Sequence, residues 1–197
     1  MTYHFKPADA ALLLVDYQVG TLQLANTTPA YEALRNAVVL AKAANVLGIP
    51  VVLTASQEDR VQGPTHDWFS RVVPEAYESR VLRSGVIDAW QDPAFRAAVE
   101  KTGRKQLIIG AITTDICLVL PAISAHEAGY EVQAVMDASS SPYRINEDIS
   151  RHRIERAGVE MTVTNTIVAE LTQDWSTPEG QEIAQFLPTP YLMRPVD

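Results

Sequence analysis
Short apolar runs alternate along this chain with stretches of helical period, and most of the runs end in polar residues. Residues 10–15, 49–53, 79–82, 107–109, 130–136 and 159–163 read as strands. A run that is apolar throughout, rather than at every second position, fits a strand covered on both faces. Between the first two runs, residues 31–47 place Leu34, Val38, Ala41 and Ala44 on one helical face, and Gly48 ends that helix. Asp92 followed by Pro93 marks a helix start, with a helix running to about Lys101. Further helices are expected from Cys117 to about Ala128, over 146–157 and over 164–174, with a short one around Trp68, Phe69, Val72 and Val73. Strands alternating with helices make an α/β domain whose mostly parallel sheet is covered on both faces.

The 197 residues suffice for one domain with a full core, and no repeat, linker or low-complexity segment divides residues 1–197. From about residue 176 onward Pro178, Pro188, Pro190 and Pro195 argue against regular structure. This proline-rich tail reads as an arm on a neighbouring subunit or a loosely held end. The formal charge of −8, with no long run of either sign, argues against nucleic acid as a partner, because phosphate contacts need a basic patch. One cysteine excludes an intrachain disulfide. The N-terminus lacks the apolar core of a signal peptide, and no run approaches the ~18 apolar residues of a membrane span. A cytoplasmic protein without a membrane partner is the expectation.

In parallel sheets ligands bind beyond the C-terminal strand ends. Asp16, Thr54, Ser56, Arg83, the 113–117 turn and Asp137 all fall there. Cys117, the only cysteine, follows Thr113, Thr114 and Asp115, which are able to cap a helix. In a first helical turn, unpaired N–H groups and the helix dipole favour a thiolate, and a nearby Arg83 would do the same. Taken alone, Cys117 fits either a small buried hydrophobe or a nucleophile. Asp16 and Arg83 fit a general base with its guanidinium partner, or a structural ion pair. Asp137 fits a loop brace as well as a site residue. The backbone N–H groups of Thr113 and Cys117 are candidate donors to an oxyanion. Gln18, Thr54, Ser56 and Trp90 are candidate substrate-binding residues, Trp90 suiting the core equally well. Pro121 cannot donate to the carbonyl of Cys117, so a distorted helix around the cysteine's turn is expected.

Val15-Asp16-Tyr17-Gln18, then Arg83-Ser84-Gly85-Val86-Ile87-Asp88-Ala89-Trp90, then Gly110-Ala111-Ile112-Thr113-Thr114-Asp115-Ile116-Cys117 stand in this order. With Gly129-Tyr130-Glu131-Val132 and Asp137-Ala138-Ser139, they resemble the isochorismatase-like cysteine hydrolases, most closely the YcaC-like branch. The resemblance covers about residues 8–175. It implies a three-layer α/β/α fold with a six-stranded parallel sheet, Asp16 as base, Arg83 as the basic residue and Cys117 as nucleophile. It also implies hydrolysis of a small amide, ureido or related carbonyl compound through a covalent thioester-type intermediate, in place of isochorismatase chemistry proper. Lysine is the common basic residue in this family, and Arg83 departs from it. The family's cis peptide would fall at Ile112–Thr113, and a homo-oligomer, from dimer to octamer, is expected. His66, His126 and His152 form no cluster like that of metal-binding relatives, so neither metal nor other cofactor is expected. A thiol sensor of redox state or electrophiles, reacting without turnover, is the alternative. A flavodoxin-type binder is disfavoured because no strand is followed by a G-x-G-x-x-G loop.

Overall fold
The apolar runs assemble into a six-stranded, all-parallel sheet in the order β3-β2-β1-β4-β5-β6. The structure, a computed structural model, describes residues 4–187. Its strands are β1 (Ala10–Val15), β2 (Val51–Ser56), β3 (Val81–Arg83), β4 (Gln106–Ala111), β5 (Glu131–Val135) and β6 (Glu160–Thr162). The helices are α1 (Ala30–Val46), α2 (Trp68–Val72), α3 (Pro74–Glu78), α4 (Pro93–Lys101), α5 (Val119–Glu127), α6 (Arg144–Arg156), α7 (Thr164–Thr172) and α8 (Pro178–Phe186).

Successive residues of β1 point to opposite faces, and every one of them is buried. Leu12 and Leu14 pack with Ala37 of α1, Val168 of α7 and Ile183 of α8. Leu13 and Val15 pack with Phe95 of α4, Ala122 of α5 and Ile154 of α6. The result is the expected three-layer α/β/α fold. Among the described residues, no helix is long and apolar enough to cross a membrane.

Two local differences from the sequence expectation are instructive. β2 extends through Thr54, Ala55 and Ser56, because Thr54 sits opposite Val15 of β1 and Ser56 opposite Arg83 of β3. The polarity of Thr54 and Ser56 did not end the strand, since the β1 and β3 ladders and the Gln18 side chain satisfy their backbone. The tail expectation fails over α8. Pro178 occupies the first helical turn, where its missing N–H costs nothing, and Thr177 Oγ1 accepts from Gly180 N at 3.0 Å. Ile183 anchors this helix in the core. Pro188, Pro190 and Pro195 lie outside the described residues.

The strand order reverses between β1 and β4. A crevice opens at such a point beyond the strand ends, here between Asp16 and the turn that carries Cys117.

Candidate active site
Asp16 leaves β1 with φ = +60°, in the left-handed region that costs most residues about 1–3 kcal/mol and that aspartate tolerates better than most. Two backbone bonds hold the turn, Asp16 N to Thr54 O at 2.9 Å and Gln18 N to Asp16 O at 2.8 Å. Tyr17 goes into the core, and its hydroxyl donates to Ala138 O at 2.5 Å. Only glycine fits opposite it, since a Cβ on Gly110 would lie 2.5 Å from that hydroxyl.

Arg83 reaches across the end of β2 from the end of β3. Its Nε donates to Thr54 Oγ1 at 3.0 Å, its Nη1 to Val86 O at 2.6 Å, and its Nη2 to Asp16 Oδ1. The side chain is 1% exposed. A guanidinium so buried needs partners on its nitrogens, and here Thr54, Val86 and Asp16 supply them.

The Cys117 turn is built by its neighbours. The peptide Ile112–Thr113 is cis, as the resemblance implied. Ile112 pairs with Ser140, Thr114 N donates to Ser140 O at 2.8 Å, and Ala111 N donates to Ser139 Oγ at 3.1 Å. Residues 114–118 then form a π-helical turn that runs directly into α5. The distortion expected of Pro121 is thus present on its N-terminal side, and Leu118 N reaches back to Thr113 O at 3.0 Å. The capping expectation fails: Thr113 makes no side-chain cap bond. Asp115 instead accepts from Asn146 Nδ2 of α6 at 2.6 Å.

Cys117 lies beside Asp16 and Thr113 at the cavity floor, where the Asp16 carboxyl and the Thr113 N–H both act on its thiol. The expected low thiol pKa is corrected here. Burial, then the Asp16 charge and hydrogen bond, push the Cys117 thiol well above its ordinary value; the Thr113 N–H and the Arg83 charge pull the other way and lose. A π-turn position against protein is a poorer thiolate site than the open helix start that the sequence suggested.

Asp16, Arg83, Thr113 and Cys117 share one cavity of about 630 Å³. Gln18 and Ser56 also line it, but Gln18 is spent on structure: its Nε2 donates to Ser56 O at 2.9 Å and to Gly63 O at 2.5 Å, and its Oε1 accepts from Ser56 N at 2.9 Å. Two expected pocket residues are displaced from that role. Thr54 is buried beneath Arg83 as its acceptor, and Trp90 packs in the core edge-on to Tyr130 at 5.1 Å. Asp137 is a brace, its Oδ1 accepting from Thr164 N and Oγ1 at 2.7 and 2.8 Å. Among the described residues, no group of three or more His, Cys, Asp or Glu side chains could hold a metal ion.

The sequence pass missed the apolar mouth of the cavity, made by Leu24, Val61, Val86, Ile87 and Ile116. They stand in the sequence as large apolar residues outside the strands and helices expected from periodicity. It also missed the segment that forms one wall: Gly20 N donates to Gln62 O at 2.8 Å, so close that a Cβ on Gly20 would meet Val61 O at 1.9 Å. Glu58 holds this wall by accepting from Thr65 and Arg80. Partial burial raises the Glu58 carboxyl, but those bonds outweigh it and bring the pKa down to about 2.

Residues 10–166 match the isochorismatase domain family. The chain belongs to the isochorismatase family of hydrolases. This family member is 35% identical over 167 residues to Probable hydrolase YcaC of Escherichia coli strain K12, covering 85% of this chain and 79% of that protein. The solved structure of YcaC from Pseudomonas aeruginosa with hexane-2,5-diol and covalent acrylamide superposes with a TM-score of 0.88 at 33% identity, covering 94% of this chain and 92% of that one. The Escherichia coli YcaC structure, an octameric hydrolase of unknown specificity, superposes at 0.86 and 32% identity, covering 95% and 88%. These likenesses put the chain in the YcaC-like branch.

Proposed function
We propose that this isochorismatase-family chain is a cysteine hydrolase of small amides, ureido or related carbonyl compounds, with Cys117 as nucleophile, Asp16 as base and Arg83 holding Asp16. The observation that carries it is the meeting of Cys117, Asp16 and Arg83 at the floor of one cavity, with Arg83 Nη2 donating to Asp16 Oδ1. Asp16 takes the thiol proton as Sγ attacks the carbonyl carbon, and the C=O electron pair moves to oxygen. The backbone N–H groups of Thr113 and Cys117 are assigned to that oxyanion. Collapse expels the amine, which takes the proton from Asp16 and leaves a thioester. Water then attacks the thioester, giving its proton to Asp16, and the Cys117 thiol is regenerated as the acid departs.

The raised thiol pKa fits a nucleophile activated only when a base acts on it. Turnover separates this reading from the sensor alternative, in which Cys117 would be modified once and release no product. We also assign a homo-oligomeric assembly to the chain. The octamer of the Escherichia coli relative and the exposed Tyr143, Ile145 and Ile149 at the start of α6 support it; light scattering on the purified protein tests it, and a monomer would overturn it.

The test of function is a screen of small primary amides for ammonia release, with Cys117→Ala alongside. Release is expected from the parent and not from the variant. Release undiminished in Cys117→Ala would overturn the assignment.

A further inference from the structure
The floor and mouth of the cavity differ in a way that specifies what enters. Among the described residues, every charged side chain lining it is Asp16 or Arg83, and these two are closed on each other. Thr54, Val86 and Asp16 already engage the three nitrogens of Arg83, and its side chain is 1% exposed, so it presents no free cation to a substrate carboxylate. The amides of Gln18 and Gln57 are likewise committed, Gln57 donating to Ser84 O at 3.0 Å and accepting from Gln62 at 3.3 Å. The exposed mouth is largely apolar: Val86, Ile87 and Ile116 line the cavity along with Cys117 while staying 38%, 66% and 44% exposed, beside the polar Thr21, Gln23 and Gln62. Their position is built into the site, since Arg83 Nη1 fixes the carbonyl of Val86.

We infer that the substrates are uncharged carbonyl compounds bearing a short aliphatic chain, with the carbonyl at Cys117 and the chain along Ile116, Val86 and Ile87. This deepens the proposed function and rests on Cys117 being the nucleophile. An ionised carboxylate entering the cavity would meet Asp16, with no cation among the described residues to receive it. The −8 charge of the chain adds to that repulsion at long range. An aliphatic chain would instead cover apolar surface that is now open to water, and a cavity of this volume is the size of ordinary small-ligand sites.

Alkylation tests this separately from turnover. The probes are iodoacetamide, N-ethyl- and N-butyl-iodoacetamide, and iodoacetate, with each rate divided by the rate of the same probe with glutathione. Intact mass reads the product, and Cys117 is the only cysteine available to be labelled. The expected result is a normalised rate that rises about two- to fourfold per methylene, as burial of CH₂ groups predicts. Iodoacetate should fall at least about tenfold below iodoacetamide. Ile87→Asn and Ile116→Asn, both at exposed positions, should each lower the butyl-to-parent ratio towards one. A flat chain-length series on a protein that labels readily would overturn the inference and leave the nucleophile assignment standing. A butyl preference unmoved by either variant would also overturn it, since the chain would then lie elsewhere. No labelling by any neutral probe, even at a pH above the raised thiol pKa, would overturn both.

Discussion

The floor of the cavity and its mouth obey opposite rules. On the floor, Asp16 and Arg83 are buried and hydrogen-bonded, and the atoms they need lie on β2, at the end of β3 and in the residues just beyond β1 and β3. At the mouth, Val61, Val86, Ile87 and Ile116 are apolar, exposed and carried by connecting segments. A buried charge left without a partner is costly, so the floor tolerates little change. Exposed apolar side chains cost little to exchange, so the mouth is free to vary. The floor therefore sets the chemistry and the mouth sets the choice of substrate.

The largest expected effect breaks the floor at its base. Asp16→Asn should lower amide turnover by about 10²- to 10⁴-fold, the usual worth of a general base. The same change removes the charge that helps hold the Cys117 thiol up, so the alkylation pKa should fall. The pH profile is the signature; a midpoint unchanged in Asp16→Asn would mean that Asp16 does not act on the Cys117 thiol. Arg83→Ala should act in the other sense on the thiol, raising its alkylation pKa further, because the guanidinium pulls it down. It would also leave Asp16 buried and unpaired, a loss of about 3–5 kcal/mol in a urea melt. Thr54→Val sharpens the contrast by removing the acceptor of Arg83 Nε together with the donor to Val81 O, for about 1–3 kcal/mol.

Glu58 lies behind the mouth, and its effect is smaller and depends on pH. Its pKa of about 2 in the folded protein lies below the ordinary 4.5, so it stabilises the fold above that value. That contribution is lost as pH falls from about 4.5 through 2. Allowing for its partial exposure, it is worth about 1–2 kcal/mol, and Glu58→Gln should flatten the stability curve over that acid window. The smallest effect is a control: Asp92→Ala removes the cap on α4, costs about 1 kcal/mol, and leaves the Cys117 alkylation profile unchanged. A shifted profile there would mean that the floor is coupled to the whole sheet.

Periodicity and capping are local, which is why α1, α4 and the six strands were legible before any coordinates. Asp92 caps α4 as its spacing with Pro93 announced. Asp16, Arg83 and Cys117 were legible as residue types at strand ends, and the order of the motifs pointed to the family. Roles that depend on distant partners were not legible. Thr54 and Gln18 look like pocket residues in sequence, yet each spends its polar atoms on a neighbouring strand or wall. Trp90 follows the Arg83 motif but turns into the core.

What the sequence determined by itself is the alternation that makes a parallel sheet, and with it the edge where reactive residues must gather. Only the tertiary structure decided that Arg83 is spent on Asp16, that the Cys117 thiol is raised rather than lowered, and that the cavity opens through an apolar mouth. Protonation and hydrogen-bond satisfaction are set by whatever atoms lie within a few ångströms, and here those atoms come from segments far apart in the chain.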